Sequence, residues 1–266
     1  MSAAGDNPTP YPAVNSLLKE LLESVQTVLG HHFIGMYLDG SLASGGFDQD
    51  SDIDFVVVTD ADIGIAGELY LALQAMHDRI ATIDSEWAIQ LEGSYLSHRA
   101  LRRYDPAAAA HPNIERGRGE RLKMVLAGEA WDIHRSVLRE RGIILAGPAP
   151  QALIDPVTPT DLRQGALKQI NGWIAQRLAG PAPMERGGQS FIVLTLCRIL
   201  FTLENGSVVS KLTAARWAEA TLGERWVGLI ERAWEGRHHP ELEPSAEDVT
   251  GTLDFIRYSL ARSQRK

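Results

Sequence analysis

Apolar residues recur at Leu17, Leu18, Leu21, Leu22, Val25, Val28 and Leu29. That spacing predicts an amphipathic helix over Val14–Leu29, with Gly30 as its stop. Phe33–Leu38 follows as a mostly apolar strand. Ile53–Val58 is apolar except for Asp54, the pattern of a strand covered on both faces. Residues 67–83 return to helical spacing through Leu69, Leu71, Leu73, Met76 and Ile80. Trp87–Leu96 is predicted as a third strand, on which alternation puts Ala88, Gln90 and Glu92 on one face. A short helix begins at Ser97. Residues 104–122, with Pro106, an alanine run, His111-Pro112 and many charges, are predicted as loop. An amphipathic helix over Trp131–Glu140 and a short apolar strand over Ile143–Ala146 lead to Gly147-Pro148.

Pro148, Pro150, Pro156 and Pro159 crowd the next stretch, and the pattern beyond them changes to helix alone. Helices are predicted from Thr160 to Gly180, Ser190 to Leu203, from Ser210 through Ala218, Trp226 to Trp234 and Ala246 to Leu260. The Ser190–Leu203 segment is the most apolar and is expected at the centre of a bundle. The expected fold is therefore α+β followed by α. An N-terminal domain over residues 1–155 has a mixed sheet flanked by helices, and residues 156–266 form a C-terminal helical bundle.

Composition narrows the function. A net charge of −8 over 266 residues argues against a nucleic-acid partner, which calls for a basic patch. One cysteine, Cys197, excludes an internal disulfide framework and fits a reducing compartment. The N-terminus lacks the basic and apolar regions of a signal peptide, and the apolar runs are shorter than a membrane span. A cytoplasmic protein without a membrane partner is expected.

The chemistry concentrates between Leu38 and Val58. Asp52 and Asp54 are spaced by the period of a strand and so point to one face. Two converging carboxylates repel unless a cation lies between them, and a hard ion such as Mg²⁺ prefers oxygen donors. Upstream, Gly40-Ser41 forms a turn whose backbone can approach a phosphate closely. Glu92 joins the carboxylates if its face matches theirs.

Gly40-Ser41 followed by Ser51-Asp52-Ile53-Asp54 resembles the nucleotidyltransferase superfamily that includes DNA polymerase β. Downstream, Ile192–Thr202, Glu204-Asn205-Gly206, Ser210-Lys211 and Ala214–Trp217 resemble the helical domain of the streptomycin/spectinomycin adenylyltransferases. The resemblance implies a two-domain enzyme in which the helical domain closes the active-site cleft. It implies Mg²⁺-dependent transfer of AMP from ATP to a hydroxyl of a small acceptor, an aminoglycoside-type antibiotic, with release of pyrophosphate. Asp52 and Asp54 then take the metal role. Glu92 falls at the catalytic base, with a third metal ligand as the alternative. Gly40, Ser41, Ser51, Arg198 and Lys211 serve the nucleotide.

The acceptor side departs from that family. Its members hold the drug with a tryptophan in the first domain's connecting part and an acid just before the apolar helix. Here Asn113–Arg121 has no tryptophan but carries Arg116, Arg118 and Arg121, which would repel a polycation. Gly187–Phe191 has no acid, which leaves Glu185 as the substitute. A different small metabolite or a protein acceptor is the alternative, and a nucleotide-binding regulatory module without catalysis is a third.

Overall fold

A computed structural model describes residues 7–128, 131–178 and 185–265. The chain divides into two compact units, Met1–Pro156 and Val157–Lys266.

The first unit is built on a six-stranded mixed sheet. In chain order its elements are α1 (Pro12–Leu29), β1 (Phe33–Leu38), α2 (Gly40–Ser44), β2 (Ile53–Thr59), α3 (Glu68–Ile80), β3 (Leu91–Ser97) and α4 (His98–Arg102). They continue with β4 (Ala110–Ile114), β5 (Lys123–Leu126), α5 (Asp132–Arg141), β6 (Ile143–Ala146) and α6 (Pro150–Leu153). The strand order is β5-β4-β3-β2-β1-β6. Only β2 and β3 run parallel, because α3 carries the chain back between them; the other neighbours are antiparallel.

Both faces of the sheet are covered, which accounts for the apolar run of β2. Ile53, Phe55 and Val57 enter one core with Leu18, Leu21 and Val25 of α1 and Leu73 and Met76 of α3. Val56 and Val58 enter another with Leu101 of α4, Leu138 of α5 and Leu153 of α6. The alternation along β2 therefore sorts side chains between two layers of helices.

Three local expectations change. The Gly40-Ser41 turn is one short helix, α2, closed at Gly45 in the left-handed region. The third strand begins at Leu91, because Glu86–Ile89 winds into a 3-10 turn capped by Ser85, whose side chain accepts the Trp87 N–H. Ala88 and Gln90 thus lie outside the strand, while Glu92 stays on it. The loop expected over 104–122 contains β4, and β5 follows it at the sheet edge. Both are short, and β4 contains Pro112, which a strand near the edge can accommodate.

The second unit is helical: α7 (Pro159–Gln169), α8 (Arg186–Asn205), α9 (Lys211–Thr221), α10 (Val227–Gly236) and α11 (Ala246–Ser263). Thr158 and Asp161 form a reciprocal cap at the start of α7, with Pro159 in its first turn. A π segment, Ile170–Ile174, extends it and bends at Gly172. Of the loop expected from Pro181 to Gly188, residues 181–184 lie outside the described residues, and α8 starts at Arg186, four residues before the expected Ser190. α7, α9, α10 and α11 all pack on α8, which buries Ile192, Val193, Leu196 and Leu200. By length and composition α8 could cross a membrane, but 67% of its most apolar window is buried in this bundle, as in a core helix.

Candidate active site

Asp54 belongs to the same alternate set as Val56 and Val58, so it lies on the sheet face covered by α4, α5 and α6. The parallel register sets it directly beside Glu92 on β3. Asp52 immediately precedes β2. One carboxylate oxygen from each of Asp52, Asp54 and Glu92 lies within 4.8 Å of the other two, and all three residues are half-buried. Oxygen donors gathered at this separation suit a hard divalent cation.

Proton affinity follows from this crowding. Burial raises the Glu92 pKa first, and the Asp52 charge raises it further. Arg116 opposes the shift; its Nη1 lies 3.9 Å from Asp52 Oδ2. Glu115 adds to the rise, and His134 counters it.

Gly40 has φ +57°, and a Cβ there would sit 1.7 Å from Asp54 Oδ2. Glycine alone lets the chain leaving β1 close onto the carboxylate. The Asp39 N–H donates to Asp54 O at 3.0 Å and ties this turn to β2. The Ser41 hydroxyl is buried and finds no hydrogen-bond partner among the described residues. Ser51, in contrast, donates to Asp48 Oδ1 at 2.9 Å and accepts the Asp48 N–H at 3.1 Å, shaping the turn that delivers Asp52.

Gly40, Ser41, Ser51, Asp52, Asp54 and Glu92 thus lie along one turn and two adjacent strand starts of the first unit. The other candidates lie in the second unit. Arg198 is half-buried on α8. Lys211 opens α9 with its Nζ 5.8 Å from the Phe191 ring centroid. Glu185 is the exposed N-cap residue of α8.

The first unit also brings forward residues that the motif did not single out. Asp39, on the β1 side of Asp54, is 4% exposed. Its Oδ2 lies 3.2 Å from His134 Nδ1 on α5. The histidine ring packs against Trp131, with centroids 5.1 Å apart. No local pattern announces a contact between residues 95 apart in sequence.

Comparison with known proteins fits this geometry. Residues 18–99 match the model of the nucleotidyltransferase domain, and residues 152–262 match that of the aminoglycoside adenylyltransferase C-terminal domain. The chain is similar to the aminoglycoside adenylyltransferase family. An Escherichia coli relative named aminoglycoside (3'') (9) adenylyltransferase is 24% identical, over 94% of this chain and 95% of its own. A Staphylococcus aureus relative named spectinomycin 9-adenylyltransferase is 26% identical, over 82% of each chain. The fold is similar to that of spectinomycin adenyltransferase AAD(9) from Enterococcus faecialis, solved with ATP and spectinomycin. Its TM-score is 0.70 at 16% identity, covering 94% of this chain and 98% of that one.

Proposed function

We propose that this chain transfers AMP from Mg²⁺-ATP to a hydroxyl of an aminoglycoside-type antibiotic and releases pyrophosphate. The observation that carries this reading is the convergence of Asp52, Asp54 and Glu92 against the Gly40 turn. Asp52 and Asp54 are the residues suited to hold Mg²⁺, which supplies positive charge to the phosphates. Gly40 admits the Asp54 carboxylate against the turn whose backbone is offered to the phosphates, and Ser41 offers an unspent hydroxyl. Ser51 shapes the separate turn that delivers Asp52, and Arg198 and Lys211 serve as cationic contacts for the nucleotide.

Glu92 takes the proton of the attacking hydroxyl. Its burial beside Asp52 favours the protonated carboxyl, which suits a group that must accept a proton. The hydroxyl oxygen bonds to the α-phosphorus as the bond to the bridging oxygen breaks, and pyrophosphate carries away the electron pair. A cytoplasmic setting supplies ATP and Mg²⁺ together.

Two features bear on the acceptor. Glu185 is an acid near the start of α8, available to an ammonium group. Arg116 beside Asp52 puts a fixed cation at the rim of the carboxylate cluster and disfavours highly charged acceptors. This favours spectinomycin over streptomycin, and it also supports a second reading in which the acceptor is another small hydroxylated metabolite.

The test is pyrophosphate release from Mg²⁺-ATP across a panel of spectinomycin, streptomycin and other aminoglycosides. Acceptor-dependent release with at least one member, abolished by EDTA, is expected. Mg²⁺-ATP binding without release on any member would refute the antibiotic acceptor and leave the second reading.

A further inference from the structure

Asp39 extends the carboxylate row by one strand. It lies across from Asp54 at the end of β1, as Glu92 lies beside Asp54 on β3. Yet it is outside the cluster that Asp52, Asp54 and Glu92 form. A metal held by those three would leave the Asp39 charge unanswered. Asp39 is nearly fully buried, and its Oδ1 has no hydrogen-bond partner among the described residues. It caps α2 without the side-chain bond an N-cap aspartate ordinarily makes. Its Oδ2 goes to His134 instead.

His134 is fixed on two sides. Asp39 holds Nδ1, and Trp131 packs against the ring. Trp131 is itself braced by His111, at a centroid distance of 5.8 Å, and by the Arg135 guanidinium, 5.8 Å from its ring centroid. The imidazole is still half exposed, and its charge reaches Glu92. α5, which carries it, packs against α2, the Gly40–Ser44 segment.

We propose that His134, positioned by Asp39, is a contact for the polyphosphate of the nucleotide, and that the pair balances a charge the metal-binding carboxylates leave uncovered. The inference rests on the AMP-transfer reading. The imidazolium donates Nδ1–H to Asp39 and Nε2–H to a phosphate oxygen. Without it, the buried Asp39 carboxylate faces the incoming phosphates as a bare negative charge.

The two roles separate in a double-mutant cycle read by calorimetric titration with Mg²⁺-ATP. His134→Ala is expected to weaken nucleotide binding roughly tenfold, the scale of one charge-assisted hydrogen bond. Asp39→Asn combined with His134→Ala is expected to recover affinity to within about threefold of wild type, because the uncovered charge is gone. In turnover, His134→Ala raises the KM for ATP and leaves the acceptor KM unchanged. His134→Gln, which keeps a donor of similar size but no charge, falls between wild type and His134→Ala and guards against misfolding of the smaller variant. Wild-type affinity in His134→Ala, no recovery in the double variant, or a shift confined to the acceptor KM each overturns the proposal alone. Absence of Mg²⁺-ATP binding by the wild-type chain overturns the AMP-transfer reading and the proposal with it.

Discussion

Replacing Gly40 with alanine tests the site through a single added methyl group. At φ +57° an L-residue costs on the order of 1–2 kcal/mol. The new Cβ would sit 1.7 Å from Asp54 Oδ2, 2.4 Å from its Cγ and 2.9 Å from its Cβ. Non-bonded carbon and oxygen settle at roughly 3.2 Å or more, so the carboxylate must retreat by about 1.5 Å or change rotamer. Either movement takes Asp54 out of register with Asp52 and Glu92. Misplacement of a reacting group by about 1 Å costs roughly a hundredfold in rate, or about 2.7 kcal/mol of transition-state stabilisation. Gly45→Ala is the matched control: φ is +72°, the backbone cost is similar, and the added Cβ meets nothing within 4 Å. Urea unfolding should show Gly45→Ala destabilised by about 1–2 kcal/mol and Gly40→Ala by more, since it also displaces Asp54. Pyrophosphate release should fall about a hundredfold in Gly40→Ala and stay within threefold of wild type in Gly45→Ala. Equal activity in the two variants would refute the claim that Gly40 exists to admit Asp54.

Glu92→Gln should lower kcat by roughly a hundredfold or more while the Kd for Mg²⁺-ATP stays within about threefold; a matching loss of affinity would instead make Glu92 a metal ligand. Burial lowers the His77 pKa from 6.5 to about 4, partly offset by Asp78, and the ring bonds to Tyr95 Oη at 2.8 Å. The unfolded chain therefore binds the extra proton first, and the stability held in neutral His77 is complete above pH 6.5 and lost as pH falls toward 4. That interval corresponds to on the order of 3 kcal/mol, and urea unfolding of His77→Gln across it should show a shallower loss than wild type. Identical slopes would contradict the assignment. Arg135 is 1% exposed and donates to Leu101 O, Ala100 O and Asp132 Oδ1 at 3.0, 2.8 and 2.9 Å. Arg135→Met should cost about 3–5 kcal/mol in urea unfolding, and a loss below about 1 kcal/mol would show that these carbonyls find other donors.

What could be read from the sequence divides according to the range of the interaction. The buried strand β2 announced itself because residues on both of its faces are apolar, so Asp54 stood out as the polar exception. Glu92 was reachable by alternation even though its strand begins four residues later than expected: only the positions from Leu91 onward enter the pairing, and Glu92 is among them. β4 and β5 carried no such signal, since a short strand with Pro112 and an edge strand with exposed Lys123 and Leu126 satisfy the ladder without an apolar alternation. Arg116 was visible as a charge in a presumed loop. It took the pairing of β3 with β4, and the Gly117 N–H bond to Ile89 O at 2.8 Å, to bring it beside Asp52. His134 lay further beyond reach. On an amphipathic helix a lone histidine is ordinarily surface, and Asp39 before a glycine is ordinarily a turn residue. Their meeting follows only from packing α5 against the turn after β1. The convergence of Asp52, Asp54 and Glu92 is thus set by local strand geometry, which a sequence pattern encodes. Those that surround it with charge, Arg116 and the Asp39–His134 pair among them, depend on tertiary contacts between elements far apart in sequence.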